Sequence, residues 1–322
     1  MNALVFLEHH GGELTKGPLG VLAKAKALGD GDVAAVLVGG GPLAELAAQA
    51  GKFGATTVYV VQDDSFDPPL PHPRVDALDE VVRAGNYDTV LFSNSVLAAD
   101  VAAALAARLD AGLNWDLVDL TNDNGELVGK RPALQDSVVV DVGWRSPRRV
   151  ALFRSGSFEA VATGGEPRVE HLGVQPQEHS LGAKIVSQNL REDKGASIED
   201  ADVIVAGGIG LGSAESFSLA EDLAELLGGA VGATRAVVYK GWYPHAAQVG
   251  QTGKTVSPKL YFALGISGAV QHKVGMQNSK VIIAINKDAG APIFEFSDLS
   301  VVGDLHTIVP ALIELLRQRK QP

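Results

Sequence analysis

Residues 260–286 read LYFALGISGAVQHKVGMQNSKVIIAIN. An apolar run without alternation, Leu260–Leu264, gives way to glycine and hydroxyl positions at Gly265, Ser267 and Gly268. A stretch of helical composition follows, then a second apolar run, Val281–Ile285, that ends on Asn286. Strand, glycine turn, helix, strand is the unit of a parallel sheet covered on both faces, since only a strand buried on both sides can be apolar at every position. The spacing predicts that Ser267 and Gly268 begin the helix, with backbone N–H groups at its mouth and His272 on its first turn or just beyond. A lone histidine is more often a surface or satisfied core residue than a functional one. Here the glycine-rich opening and the polar neighbour Gln271 favour function. Asn286 falls at the carboxyl end of its strand, where ligands sit in open α/β sheets.

The same logic extends upstream. Val203–Ala206 leads into Gly207-Gly208-Ile209-Gly210-Leu211-Gly212-Ser213 and then a helix over Ala214–Leu227, in which Phe217, Ala220, Leu223, Ala224 and Leu227 share one face. The glycines lack the G-x-G-x-x-G spacing, so a phosphate cradle and a tight turn capped by Ser213 both stand. Gly250-Gln251-Thr252-Gly253-Lys254-Thr255 resembles the end of a P-loop, but the required first glycine would stand at Gln248 and no strand leads in. Nucleoside-triphosphate hydrolysis is excluded on that ground. What remains is a loop of backbone donors with the Gln251 and Thr252 side chains, suited to a heterocycle edge as well as to a phosphate, or else an exposed turn. Arg235, after a short Ala/Val run, reads either as a surface ion pair or as a guanidinium placed against an electron-rich ring. Asp304 reads as the N-cap of a last helix over Thr307–Gln318, and Ile293–Phe296 as a further strand.

Residues 1 to about 120 repeat the pattern, with strands at Ala3–Leu7, Val33–Val38, Thr57–Val61 and Thr89–Phe92. Helices are predicted over Leu19–Leu28, Pro42–Ala50, Val75–Ala84 and Leu97–Leu109. Asn122-Asp123-Asn124-Gly125 marks a hairpin between Asp116–Leu120 and Glu126–Gly129. Ser137–Val142, Arg149–Phe153 and Phe158–Ala162 are expected as short antiparallel strands extending the first sheet. The polar stretch Ser187–Asp200 reads as a linker or hinge. The expectation is an α/β protein of two doubly wound domains: an N-terminal Rossmann-like sheet with antiparallel additions over 1–188, a linker over 189–200, and a parallel-sheet domain over 201–322.

A chain of 322 residues with 46% hydrophobic composition can bury cores of that size. A net charge of −11 argues against general affinity for nucleic acid or anionic membrane. With 0 cysteines there are no disulfides, thiolate metal sites or cysteine nucleophiles. The histidines and acids show no metal-ligand spacing, and Trp144 and Trp242 no stacking pattern for nucleic acid. The start, MNALVFLEHHGGE, is neither signal nor transit peptide, and no run reaches the roughly 20 apolar residues of a membrane span. A soluble cytoplasmic protein without membrane insertion is expected.

In order, GGIGLGSAESF, GATRAVVYKGW, QVGQTGKTVSPKLYFALGISGAVQH, SKVIIAINKDAGAPIF and GDL resemble the α subunit of electron-transfer flavoproteins, across the chain from about 200 to the end. ALVFLEH and Arg154-Ser155-Gly156-Ser157-Phe158 carry a weaker likeness in the first half. The resemblance implies FAD held by the second domain. It places Arg235 over the isoalloxazine with Thr234 beside it, and Val249, Gly250, Gln251 and Thr252 along the flavin, Thr252 near N5. It places Ser267, Gly268, Ala269, Val270, Gln271 and His272 against the flavin and its pyrophosphate, with His272 directed at the pyrimidine carbonyl. Asn286 would bind the phosphate or ribitol part and Asp304 the adenosine end. This sequence departs from the family pattern at Ile209, where an arginine is usual, and at Tyr239-Lys240, where an acid often stands. Lys254 is a candidate replacement cation.

The implied function is a redox carrier rather than an enzyme. It would pair with an electron-transfer flavoprotein β subunit through its first domain, take electrons singly from acyl-CoA and other flavin dehydrogenases, as in fatty acid β-oxidation, and pass them to a quinone oxidoreductase. A cation or histidine donor beside the flavin's N1/C2 edge would stabilise the charge of one-electron reduction, and a swivelling linker would let one flavin meet several partners. The alternatives are a low-potential or bifurcating relative serving nitrogen fixation or anaerobic metabolism, an NAD-binding enzyme on the same fold, and a nucleotide sensor. No general base with an orienting acid supports the enzyme reading.

Overall fold

A computed structural model describes residues 1–320 apart from 11, 30, 31, 124, 135, 188–197 and 200. The chain divides into two compact units, Met1–Leu190 and Arg191–Pro322. Of the expected linker over 189–200, all but Ile198 and Glu199 lies outside the described residues. Among the described residues no helix is long and apolar enough to cross a membrane.

The first unit is built on a seven-stranded parallel sheet in the order Arg168–His171, Thr57–Gln62, Val33–Gly39, Ala3–Leu7, Thr89–Ser93, Arg149–Phe153, Gly112–Leu117. Its central strands are buried throughout because the helices Lys16–Ala27, Ala44–Gly51, Pro71–Ala84 and Val96–Leu109 cover both faces. Burying each Val, Leu or Phe there contributes about 1.5–3 kcal/mol. Direction in the chain reverses between Ala3–Leu7 and Thr89–Ser93. At that point the Ser95 hydroxyl donates to Glu8 at 2.9 Å while accepting from the Ala98 N–H, which caps Val96–Leu109. A cavity of about 400 Å³ beside them is lined by Glu8, His9, Asp67 and Arg74 among others. The buried Arg74 guanidinium donates to the carbonyls of Phe66, Pro68 and Leu70.

Three expectations for residues 112–162 need correction. Arg149–Phe153 is an interior strand parallel to its neighbours, consistent with its burial on both faces. The antiparallel strands Asp119–Asp123, Glu126–Ala133 and Val138–Val142 form a separate three-stranded sheet instead of extending the first. Phe158–Ala162 is no strand: Phe158 packs edge-on against Phe153 at 5.0 Å, and the segment beyond it is largely exposed. The sheet edges belong to Gly112–Leu117 and Arg168–His171, which were not foreseen.

The second unit holds a five-stranded parallel sheet in the order Ala230–Ala233, Val203–Gly207, Leu260–Leu264, Ile282–Asn286, Leu299–Val302. In chain order this is 2-1-3-4-5, an open doubly wound arrangement whose switch point lies between Val203–Gly207 and Leu260–Leu264. Ile293–Phe296 belongs to a 3-10 turn, Pro292–Phe296, opened by a proline that cannot donate into a ladder. Ser267 and Gly268 precede the helix, which runs Val270–Met276 and places His272 on its first turn. The predicted helix Ala214–Leu227 is a 3-10 turn, Glu215–Phe217, followed by Ser218–Leu227. The last helix runs Leu305–Lys320.

One ionic cluster fastens the irregular part of the first unit. Arg154, 8% exposed, follows Arg149–Phe153 and donates to both carboxylate oxygens of Asp116 (2.8 and 2.9 Å) and of Asp136 (2.7 and 3.1 Å). Burial alone would pull the guanidinium down, but these bonds outweigh it and push it up. Both aspartates sit at positive φ, 59° and 61°, a conformation that needs outside support. Arg154→Met is expected to leave two facing carboxylates and to destabilise the first unit by about 3–5 kcal/mol. Urea unfolding followed by tryptophan fluorescence measures this, and a loss below about 1 kcal/mol would show the cluster to be dispensable.

Candidate functional site

At the switch point of the second unit two chain segments meet backbone to backbone. A Cβ on Gly208 would lie 2.3 Å from the Gly265 carbonyl oxygen, and one on Gly210 would lie 2.6 Å from the Gly265 Cα. The Gly210 N–H donates to Gly265 O at 2.9 Å and the Gly208 N–H to Leu264 O at 2.9 Å. No side chain fits between them, so the space above stays open. The loops after Val203–Gly207, Ala230–Ala233, Leu260–Leu264 and Ile282–Asn286 surround a cavity of about 700 Å³ there, at the carboxyl ends of the strands. Its size falls within the usual range for small-molecule and cofactor sites.

Of the fourteen residues that the resemblance assigns to the cofactor, eleven line this cavity: Thr234, Arg235, Val249, Gly250, Gln251, Thr252, Ser267, Ala269, Gln271, His272 and Asn286. Gly268, Val270 and Asp304 do not. Gly268 has φ +90°, and its missing Cβ would lie 2.2 Å from Ile293 N, so its glycine lets the chain pass that turn. Val270 opens the helix half-exposed, and Asp304 accepts the His306 N–H at 3.0 Å at the start of Leu305–Lys320.

The loop Val249–Lys254 has most of its backbone donors already engaged. Val249 N–H donates to Ala233 O (3.0 Å), Gly250 N–H to Lys254 O (3.1 Å), Gln251 N–H to Gln271 O (2.7 Å) and Lys254 N–H to Gln248 O (2.7 Å). Those four backbone donors are therefore already spent on carbonyls of the loop and of the segments packed against it, and the Gln251 and Thr252 side chains carry its polarity. Lys254 reaches Glu199 at 3.0 Å and does not line the cavity. Arg235 is the one Lys or Arg among the described lining residues. It donates from Nη2 to the Tyr239 hydroxyl at 3.0 Å, with its guanidinium 4.8 Å from that ring's centre. Asn286 ties two strand ends together, donating to Ile266 O at 2.9 Å and accepting from Asp288 N–H at 3.0 Å.

Sequence reasoning missed several lining residues. Gln248, 2% exposed, donates from Nε2 to the Thr252 hydroxyl at 3.1 Å and so orients it. A polar residue between Ala247 and Val249 was its signal, but position 248 was weighed only as a failed P-loop glycine. Tyr239, Asp288, Ala291 and Pro292 also face the space. Ile209, 38% exposed, lines it where the resemblance leads one to expect a cation.

This constellation is that of a cofactor-binding α/β domain, and comparison with known proteins is specific. The family described as the electron transfer flavoprotein FAD-binding domain matches residues 197–277, and the electron transfer flavoprotein domain matches residues 3–177. The electron transfer flavoprotein subunit alpha of Mycobacterium tuberculosis (strain H37Rv) is 41% identical over 318 residues, 98% of each chain. The chain called Protein FixB from Clostridium saccharobutylicum is 38% identical over 96% of this chain and 94% of its own. The mitochondrial subunit alpha of Oryza sativa subsp. japonica is 37% identical over 99% and 92%. The chain belongs to the electron transfer flavoprotein α-subunit family, and its cofactor is FAD.

His272, only 6% exposed, meets the Tyr261 hydroxyl at Nε2 (2.9 Å) and the Val249 carbonyl at Nδ1 (3.2 Å). Burial pulls its ring down to about 4, against a smaller upward pull from the Val249 carbonyl. In the unfolded chain the ring takes up its proton near the ordinary 6.5, but in the folded chain only near about 4. The unfolded state therefore binds more protons between those values, and stability is lost as pH falls through that window and is fully present above it. The loss reaches about 3 kcal/mol. Comparing urea unfolding at pH 7 and pH 4.5, wild type is expected to lose more stability than His272→Gln. Equal losses would mean that the ring charges without penalty in the folded protein.

Proposed function

We propose that the second unit holds FAD in the switch-point cavity and that the protein is a carrier, taking electrons singly from flavin dehydrogenases such as acyl-CoA dehydrogenases and passing them to a quinone oxidoreductase. The observation that supports this most is the convergence of four strand-end loops on one cavity of about 700 Å³, within a unit whose residues 197–277 match an FAD-binding family. The glycine floor fits a flat or phosphate-bearing ligand at van der Waals distance from backbone. Arg235 with Thr234, Val249 through Thr252, Ser267, Ala269, Gln271, His272 and Asn286 would hold the group; Gly268, Val270 and Asp304 would act from outside the cavity wall. When bound, FAD supplies reversible one-electron transfer.

The chain's own contribution is charge and shape. Arg235 brings positive charge to the cavity and favours electron gain there. Gln248 fixes the Thr252 hydroxyl, and Ala291 and Pro292 help exclude water on the far side. His272, held well below neutral pH and engaged at both nitrogens, is no general base, which supports a carrier over a dehydrogenase. The chain pairs with a β subunit, as an α subunit of this family does, and the first unit is the proposed seat of that association. The similarity to the chain named FixB supports a second reading, a low-potential carrier.

The complex co-expressed with its β subunit is expected to be yellow, with a flavin spectrum and FAD released on denaturation; a colourless complex would sink the proposal. Arg235→Ala is expected to lower the flavin midpoint potential, since a cation that stabilises the reduced state is gone. An unchanged potential in redox titration would remove Arg235 from that role.

A further inference from the structure

We infer that the Asp76 carboxylate is a clamp that ends the packed part of the first unit: it pins the returning chain at Gln177 and so fixes where the tether to the second unit starts. Asp76 lies within the helix Pro71–Ala84 and is 6% exposed. A carboxylate buried that far is costly unless its oxygens are engaged. Oδ1 pairs with Arg108 Nη1, from the last turn of Val96–Leu109. Oδ2 accepts the Gln177 backbone N–H at 2.8 Å, from a residue 101 positions further along the chain. The Arg108 side chain keeps partial contact with solvent, so the ion pair alone does not require Asp76 to be buried. The 3-10 turn Glu178–Leu181, which Gln177 opens, packs on Pro71–Ala84.

The position of this bond along the chain gives it its role. Just past the edge strand Arg168–His171, the Leu172 N–H still donates to Val60 O at 3.0 Å, and Val174 is buried in the core. The side chains of Gln177, Glu178 and His179 are exposed, so the backbone bond to Asp76 is what fastens this stretch, with Ser180 buried behind it. Among the described residues Ser180 is the last buried one before Ile198 of the second unit. Residues 181–187 are all exposed, Ile185 included, although it borders the cavity beside Asp67. The tether thus begins ahead of the polar stretch that marks it in the sequence. Opening the clamp frees the chain back to Val174 and adds roughly 20 Å of extended reach. A longer tether enlarges the volume that the second unit samples and lowers its effective concentration at any one docking face. The clamp belongs to the first unit alone, and only its consequence for electron delivery rests on the proposed function.

The test is amide hydrogen exchange, read by mass spectrometry on the full chain in complex with its β subunit, in wild type, Asp76→Ala and Gln177→Pro. Gln177 has φ −69° and ψ 150°, a conformation proline adopts, so the second variant deletes the N–H and leaves the Asp76–Arg108 pair in place. In both variants peptides covering residues 175–182 are expected to exchange about tenfold faster or more, while Leu172 and Val96–Leu109 keep wild-type protection. Unchanged protection of 175–182 in either variant overturns the inference, because packing then holds the turn. Lost protection across Val96–Leu109 in Gln177→Pro overturns it as well, because the bond then supports the whole unit and not the start of the tether. If Asp76→Ala does not fold, Gln177→Pro decides alone. A colourless complex would sink the carrier reading and leave the exchange result standing.

Discussion

The contact of Gly208 and Gly210 with Gly265 is the constraint on which the second unit depends. It occurs where neighbouring parallel strands send their connections to opposite sides of the sheet, and its closeness is set by backbone atoms alone. Everything polar in the cavity is arranged around that floor. Thr234 and Arg235 arrive from one flanking strand and Asn286 and Asp288 from another. The loop Val249–Lys254 closes the side, held by hydrogen bonds to Ala233, Gln248 and Gln271. A bulky residue at the floor would push the two strand ends apart and with them all four loops.

Much of the fold was legible because parallel strands buried on both faces leave apolar runs that nothing else explains. Ala3–Leu7, Arg149–Phe153 and Leu260–Leu264 were bounded as they occur. Strands at sheet edges carry no such signal. Leu299–Val302 is mostly exposed, Gly112–Leu117 contains Asn114, Trp115 and Asp116, and Ala230–Ala233 is too short and glycine-bearing to stand out. Arg149–Phe153 was recognised as a strand but given the wrong direction, because direction depends on a connection through a separate sheet that local pattern does not encode. Ile293–Phe296 looked like a strand because a buried 3-10 turn and a buried strand need the same apolar residues.

The site was legible to the extent that its residues sit in unusual local company. Glycines, amides, hydroxyls, one arginine and one histidine beside apolar strands marked part of the site, and the family resemblance supplied the rest of the eleven lining positions. Gly268 lies off the cavity wall, and in sequence a glycine required for backbone passage looks the same as one required for a ligand. His272 was found, but its surroundings were not. Its partners are a tyrosine on the preceding strand and a carbonyl in a loop 23 residues away, and neither leaves a trace in spacing. The carbonyl-bound Nδ1 and the low ring pKa follow only from packing.

Both units obey the same rule about where a doubly wound sheet opens, yet their openings differ in charge. In the first, Glu8 stands at the start of Val96–Leu109 through its bond from Ser95, and Asp67 lines the same cavity. The guanidinium that faces these two carboxylates, Arg74, is already bonded to three backbone carbonyls. A phosphate would meet net repulsion there, and would also find the helix start taken by a fixed carboxylate. The cavity of the second unit sets one cation, Arg235, against one carboxylate, Asp288, so an anionic ligand meets a more even balance of charge there than between Glu8 and Asp67.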